Sequence, residues 1–334
     1  MSIQSHKPYR SFFWPVILLG AGVIWLLTNL GMIPTENLWI LVQLWPVLII
    51  VAGLDIIFAR RLPLVGALLA LVVIGGVVLV LLEGIDLGQA ERPEPQTETF
   101  VVSAEETAMA YLKLNLATQP TTIRVLDDPE NLLEAEIGHF GDVEMRVEGG
   151  EEKEIVLEQQ GVVSWFAWLL QEVQDEELTW DVQLNPGVPF DLEVDGGTGR
   201  VDMHLDEVQM GRFRFDGGTG TAEIILPASQ QSYVALVEPG TGNVNLVLPA
   251  EGNLTLRLNG SIARILVDVP EGAALQVEVQ RGGTGDVIRP DWLQKVKGLE
   301  DRDEGVYQTE GFDSAEYQLV VIVEDLSTGN LVIE

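Results

Sequence analysis

The sequence has no cysteine among its 334 residues, which excludes disulfide bonds, thiolate nucleophiles and zinc sites with sulfur ligands. Histidine is nearly as scarce: only His6, His139 and His204 occur, too far apart to indicate a metal site or a catalytic triad. Walker loops need Gly-Lys-Ser/Thr, and dinucleotide fingerprints need a strand, a turn and a helix; neither pattern is present. We therefore expect a protein that is not an enzyme and that holds no cofactor.

Basic residues are also few, since 19 lysines and arginines face 51 aspartates and glutamates, for a net charge of −32. The imbalance lies in one part of the chain. The first 82 residues have four basic and two acidic side chains, whereas the rest have 15 and 49. A domain of this charge repels nucleic acid and anionic lipid surfaces, and it favours cations or basic partners. A nucleic-acid partner is therefore excluded from the expected function.

Apolar residues are abundant only before residue 83. A helix needs about 20 predominantly apolar residues to cross about 30 Å of hydrocarbon. Three stretches meet this requirement, and they are residues 11–30, 38–58 and 62–82. The first two repeat each other from Trp14-Pro15 and from Trp45-Pro46 onward. No small-residue cleavage site follows the first run, so residues 1–82 are predicted to be a membrane anchor of three transmembrane helices and not a removable signal peptide.

The basic residues around these helices predict an orientation. Two precede the first helix and two separate the second from the third, namely Lys7, Arg10, Arg60 and Arg61. The connection 31–37 has no basic residue. The positive-inside rule then places the N-terminus and the Arg60-Arg61 pair in the cytoplasm. Three crossings leave everything after the third helix outside the cytoplasm, as part of a multi-pass protein of the cell membrane.

Residues 83–99 are rich in proline and glutamate and poor in large apolar residues, which is typical of an extended, solvated linker. A β domain is predicted to follow at residues 100–334. Its least regular part, residues 100–160, is expected to form the first coils.

The β domain contains a repeat. Gly-Gly-Thr-Gly or a variant of it ends at residues 199, 220, 242, 263 and 285, which gives a period of 21 or 22 residues. Apolar residues alternate between these clusters, as at Val201, Met203 and Leu205, and such alternation predicts strands with one buried face. The glycines are expected to supply positive φ angles at tight turns, with prolines marking the opposite strand ends. We predict an all-β solenoid in which Thr198, Thr219, Thr241 and Thr284 form a ladder.

The last segment also belongs to the repeat. Residues 327–331 resemble residues 240–244, and Gly329 lies two periods beyond Gly285. The sequence therefore predicts a further coil, separated from the others by an inserted loop within residues 286–312.

One position of the repeat is acidic. Four places before the end of successive turns stand Asp195, Asp216 and Glu238, followed by Asn259 and Arg281. Stacked coils would bring these side chains to about 5 Å from one another, the spacing of neighbouring strands. A bound cation is one interpretation, which makes the three carboxylates candidates for a metal site. The other is that residues before glycine turns accept backbone hydrogen bonds.

A short amphipathic helix is predicted at residues 162–173, where Trp165, Phe166 and Trp168 interrupt the strands. Such a segment can cap an exposed end of the β core, which protects it from aggregation. It can also contact the membrane or a partner protein, and the sequence is compatible with both interpretations.

Two segments resemble known families. The segment from Trp14-Pro15 to Arg60-Arg61 resembles the LiaI/LiaF-like transmembrane region of bacterial envelope proteins, in which four membrane segments are usual and three are counted here. Residues 184–199 are similar to the toastrack β domains, which include LiaF C-terminal and adhesin-like domains, that often follow it. The resemblance implies a role in sensing or regulating cell-envelope stress beside a histidine kinase system, and it supplies no catalytic residues.

We therefore expect a noncatalytic envelope protein whose outer β domain binds a partner. The expected partners are the lipid bilayer, an envelope-stress sensor kinase or another membrane protein, and a second copy of the chain. The alternative is a structural or adhesive surface module, for which the helices serve only as an anchor.

Overall fold

The structure is a computed structural model that describes residues 13–33, 38, 41, 49–50, 63–83, 95–116, 118–160, 178–229, 231–260, 262–299 and 302–334. The chain divides into an N-terminal helical unit and a β unit that begins at Pro95.

The N-terminal unit contains helix α1 (Phe13–Asn29) and helix α2 (Pro63–Glu83). The two helices pack through small residues, because Ala70 of α2 is fully buried against Val16 and Ile17 of α1. Gly20 of α1 approaches the side chain of Ile74 so closely that a Cβ atom at that position would overlap it. These two helices coincide with the first and third predicted transmembrane stretches.

The second predicted stretch, 38–58, lies almost entirely outside the described residues, as do Arg60 and Arg61. Among the residues that the structure describes, no helix is both long enough and apolar enough to cross a membrane. The count of three transmembrane helices and their orientation therefore stay predictions.

The β unit is built almost entirely of strands. In chain order they are β1 (Gln96–Ser103), β2 (Met109–Asn115), β3 (Thr121–Val125), β4 (Asn131–His139), β5 (Asp142–Gly149), β6 (Glu152–Gln160), β7 (Trp180–Leu184), β8 (Phe190–Asp195), β9 (Arg200–His204), β10 (Met210–Asp216), β11 (Thr221–Ile225), β12 (Tyr233–Glu238), β13 (Asn243–Val247), β14 (Leu254–Asn259), β15 (Arg264–Asp268), β16 (Leu275–Val279), β17 (Val287–Ile288), β18 (Gln294–Lys297), β19 (Gly305–Gln308), β20 (Leu319–Asp325) and β21 (Asn330–Ile333), with a 3-10 helix at Phe312–Ser314.

These strands form two sheets. Sheet A has the order β1-β4-β7-β3-β9-β11-β13-β15-β21-β17, and sheet B has the order β18-β19-β16-β20-β14-β12-β10-β8-β2-β6-β5. A coil consists of one strand of sheet B, a turn, and the next strand of sheet A. Neighbouring coils pair in parallel, as β8–β9 does with β10–β11 and β10–β11 with β12–β13. The predicted β domain of stacked parallel strand pairs is confirmed.

The coils are not stacked in chain order, which the period alone did not predict. The predicted last coil forms as β20–β21, but it lies between β14–β15 and β16–β17 and not at the end of the stack. The first coil, β2–β3, is likewise inserted between β6–β7 and β8–β9. Antiparallel strands complete both ends: β1 and β4 extend sheet A, β5 extends sheet B at one end, and β19 and β18 extend it at the other.

The core lies between the two sheets as one continuous cluster. The predicted alternation is confirmed at Val201, Met203 and Leu205, which are all buried. The largest fully buried side chains of the central coils are Phe190 and Phe213, and Trp180 fills the end of the stack near β7. Because every second side chain points inward, each coil adds an apolar layer to its neighbours, and burial accumulates along the stack.

The glycine turns stack as well, but the expected reason for the glycines is mostly wrong. Among the turn glycines, positive φ angles occur at Gly240, Gly260 and Gly283. Gly218, Gly220 and Gly242 have ordinary φ angles. At these three positions a Cβ atom would overlap a backbone carbonyl of the preceding coil, so any other residue would force the backbone to shift. Glycine is required because neighbouring turns approach each other closely.

Backbone hydrogen bonds join these turns into a ladder. The amide of Thr219 donates to Gly197 O at 3.1 Å, and the amide of Thr241 donates to Gly218 O at 3.0 Å. The ladder of threonines is interrupted before Thr284, whose amide donates to Ser327 O at 2.8 Å in the inserted coil. The turns therefore continue the sheet hydrogen bonding around one edge of the stack.

Candidate functional site

The predicted acidic column exists on the outer face of sheet B. Asp216 is in register with Asp195 on one side and with Glu238 on the other. The column continues through Asn259 to Asp325, a residue that the repeat pattern did not place there because its coil is inserted. Arg281, the predicted next member, donates to Asp325 Oδ2 at 3.3 Å.

The chain's own donors lie between these carboxylates. Lys113 Nζ lies 2.7 Å from Glu193 Oε1 and 3.2 Å from Asp195 Oδ2. Arg214 donates to Glu238 Oε2 at 2.7 Å, and Asn259 Nδ2 donates to Glu238 Oε1 at 3.3 Å. These partners could not be predicted from the repeat, because each belongs to a different strand and Lys113 is 80 residues from Glu193. Bonds between coils thus place a basic or amide group beside two carboxylates of the column, Asp195 and Glu238.

A group of three residues, Tyr111, Lys113 and Glu193, shows how these bonds set the charges. Glu193 accepts from Lys113 Nζ and from the Tyr111 hydroxyl, each at 2.7 Å. The bond from Lys113 is the main cause of the lowered pKa of Glu193, with Tyr111 adding to it and burial opposing it. Burial, with help from Glu193, raises the pKa of Tyr111 to about 12. The carboxylate stays ionised and the phenol stays protonated, so the group fixes charge and does not transfer protons near neutral pH.

Replacing Glu193 by glutamine is expected to weaken the dependence of the free energy of unfolding on pH at acidic pH. Because the pKa of Glu193 is lowered on folding, its contribution is complete above the ordinary value of 4.5 and is lost as the pH falls below it. At pH 7 we expect Glu193→Gln to lower the free energy of unfolding by about 1 kcal/mol, since the pair is partly solvated. Urea unfolding from pH 7 to pH 3 measures both effects. The exposed Glu251→Gln variant is the control and should follow the wild-type pH dependence; a Glu193→Gln curve parallel to wild type would contradict the assignment.

A metal site at Asp195, Asp216 and Glu238 gains no geometric support. Among the described residues, no three His, Asp or Glu side chains come together as metal ligands. Asp216 is exposed, and its neighbours in the column are already bonded to Lys113, Arg214 and Asn259. The cation interpretation stays a prediction.

The histidines do not assemble either. His139 is fully buried near the start of the β unit, with Nδ1 2.9 Å from Gly141 O and Nε2 3.7 Å from Glu98 Oε1. His204 is exposed at the end of β9, and His6 lies outside the described residues.

The predicted aromatic contact residues Trp165, Phe166 and Trp168 also lie outside the described residues. They belong to the connection from β6 to β7, which corresponds to the glycine turn of the other coils. Both interpretations of this segment, a cap or a contact with membrane or partner, remain predictions.

Comparison with known proteins gives two family matches. Residues 12–57 match the LiaI-LiaF-like transmembrane region, and residues 91–247 match the N-terminal domain of toast_rack. The architecture expected from the resemblance is confirmed: a LiaI-LiaF-like membrane region followed by a toast-rack domain. Among curated proteins no sequence matches.

Two solved structures are similar to the chain. A candidate cell adhesion protein from Clostridium sporogenes is 15% identical, with a TM-score of 0.43, covering 72% of this chain and 99% of that one. A candidate lipid binding protein from Parabacteroides distasonis is 9% identical, with a TM-score of 0.28, covering 72% of this chain and 97% of that one.

Proposed function

From a chain that joins a LiaI-LiaF-like transmembrane region to a toast-rack domain, we propose a noncatalytic protein of the bacterial cell envelope that regulates the response to envelope stress. The order of the two matched regions carries the proposal, because it connects a membrane anchor to a β domain within one chain. The membrane region holds the protein in the bilayer, and the β domain binds the partner.

The orientation is part of the proposal. Three crossings, at residues 11–30, 38–58 and 62–82, place the β domain outside the cytoplasm. The basic residues Arg60 and Arg61 between the second and third crossings support this orientation, as does the absence of basic residues from 31–37.

The chemistry of sheet B supports a binding role over a catalytic one. Several of its titratable groups are tied into bonds between coils, as in the Lys113–Glu193 pair and the Arg214–Glu238 pair. Catalytic acids and bases have pKa values near the working pH, whereas the pKa values of Tyr111 and Glu193 are displaced away from neutrality. A surface of fixed charges on a rigid stack of coils is suited to selecting a partner by electrostatic complementarity. The proposed partners are a sensor kinase or another membrane protein, and a second copy of the chain.

Deleting the β unit tests the regulatory role. A chain that ends before Pro95 keeps the membrane region, and we expect it to change transcription from envelope-stress promoters severalfold when the envelope is damaged. Transcript measurements in cells that carry the full or the shortened chain give the result, and crosslinking in membranes should recover a sensor kinase or another envelope protein with the full chain.

The control is a chain in which the β unit is replaced by an unrelated folded domain of similar negative charge. Protease added to intact cells should cleave the native β unit, which verifies its exposure on the outside. If the deletion changes only attachment to surfaces, the alternative of an adhesive or structural module is supported. If only self-contacts are crosslinked, a regulatory partner is contradicted.

A further inference from the structure

A cavity of about 660 Å³ lies at the C-terminal end of the β unit, on the edge of the stack opposite the glycine turns. Four segments meet there: the connection from β15 to β16, the segment between β17 and β18, the segment between β19 and β20, and the end of β21. The side chains that give the cavity its chemistry are Glu271, Trp292, Gln294, Thr309, Glu310 and Glu334. None of these residues takes part in the acidic column.

The cavity has an uncompensated negative charge. Its lining includes the acidic residues Glu271, Glu310 and Glu334 and no lysine, arginine or histidine. Elsewhere in the β unit, carboxylates such as Glu193 and Glu238 are paired with basic residues. In the described part of the chain, none of the ion pairs includes a carboxylate of this cavity.

The nearest basic side chains along the chain are committed to the adjoining hairpin. Arg289 lies 4.5 Å from the centre of the Tyr307 ring, and Lys295 Nζ lies 5.1 Å from it. Lys295 also donates to Leu299 O at 2.5 Å. Tyr307 itself is fully buried, so these two cations stabilise the hairpin and leave the carboxylates of the cavity free for a ligand.

Trp292 adds an aromatic surface to this negative cavity. Its side chain is 45% exposed, whereas the side chain of the next residue, Leu293, is buried. Such exposure is unusual for a large apolar side chain. An indole face attracts ammonium and guanidinium groups within about 6 Å, and the attraction is strongest for tryptophan. A metal ion is a poor fit, because an indole is not a metal ligand and a cavity of this volume suits an organic group.

We propose that this cavity binds a lysine or arginine side chain presented by a basic peptide segment, with the cation over Trp292 and between Glu271 and Glu310. The carboxylates attract the charge, and the indole covers the apolar part of the side chain. The proposal goes beyond the regulatory role and does not rest on it, since binding to the purified protein is measured without reference to transcription.

Calorimetric titration of the full chain tests the proposal. The protein is placed in nanodiscs of phosphatidylcholine and titrated with a tri-lysine peptide blocked at both ends. We expect one saturable site whose affinity falls as salt is added, because exposed charges are screened. The same peptide with acetylated lysines should not bind, and equal binding of the acetylated peptide would overturn the proposal.

Variants separate the cavity from the general negative charge of the domain. Trp292→Ala, and Glu271→Gln with Glu310→Gln, should each weaken binding about tenfold, a typical loss for a cation–aromatic or charge contact. Trp292→Phe keeps a ring and should lose less, and thermal unfolding by circular dichroism verifies that each variant is folded. The matched control, Asp313→Asn with Glu316→Gln, removes two nearby exposed charges outside the cavity and should bind like wild type. An equal loss in the control, or no loss in Trp292→Ala, would overturn the proposal.

Discussion

A chain that ends at Gln318 is expected to lose the folded C-terminal half of the β unit. The missing coil, β20–β21, pairs with β14 and β15 on one side and with β16 and β17 on the other. Its buried side chains are Leu319, Val321, Val323, Leu326, Leu331 and Ile333. Burying one such side chain contributes roughly 1.5–3 kcal/mol, so their joint loss is comparable to the whole stability of a typical domain, about 5–15 kcal/mol. The temperature of thermal unfolding should fall sharply, and the β unit should lose its resistance to protease.

Two matched double variants within the same strand serve as the control. Val321 and Val323 are fully buried, whereas Val320 and Ile322 on the opposite face of β20 are half-buried. Replacing the buried pair with threonine should destabilise the protein by several kcal/mol, because two hydroxyl groups enter the core without partners. The same replacement at the outward pair should change little, since threonine suits a strand. Normal unfolding of the shortened chain would mean that β20–β21 does not lie inside the stack.

Replacing Gly242 by alanine is expected to lower the free energy of unfolding by about 3 kcal/mol, at the upper end of the usual cost of overpacking. The new methyl group would meet the backbone carbonyl of Gly220 in the neighbouring turn, and a backbone atom cannot rotate away as a side chain can. Since Gly242 has an ordinary φ angle, the cost comes from close approach and not from backbone conformation. Urea unfolding gives the change in free energy.

Gly150, in the hairpin between β5 and β6, is the control for this prediction. It also lacks a positive φ angle, and nothing lies within 4 Å of a Cβ atom built there. Alanine at this position should change the free energy of unfolding by less than about 0.5 kcal/mol. Equal effects at the two glycines would contradict the close packing of the turns.

Local sequence pattern was sufficient to predict the coils but not their order. The alternation at Val201, Met203 and Leu205 specifies a strand and its buried face, because both depend only on a period of two. The recurrence at residues 327–331 likewise predicts that β20–β21 is a coil. Its neighbours depend on pairing between distant segments, which no period encodes, and the position of Asp325 in the acidic column was missed for that reason.

The same limit applies to the candidate sites. The register of Asp195, Asp216 and Glu238 followed from the repeat. Their partners Lys113 and Arg214 did not. The bond from Lys113 to Glu193, for example, joins the first coil to a coil that comes much later in the chain. The cavity around Trp292 was also missed, since four separate connections meet only after both sheets have formed. The signal present in the sequence was a tryptophan among acidic connections within the predicted loop at 286–312.

The interleaved position of β20–β21 also sets the order in which the molecule can be assembled. During synthesis from the N-terminus, β14–β15 and β16–β17 are made before the coil that separates them, so they reach their final places only after β20–β21 has been made. In this part of the stack, the coils therefore cannot be added in the order in which they occur in the chain. The two sheets become continuous here only when β20–β21 inserts between the two earlier coils, so this insertion is the step that completes this part of the fold.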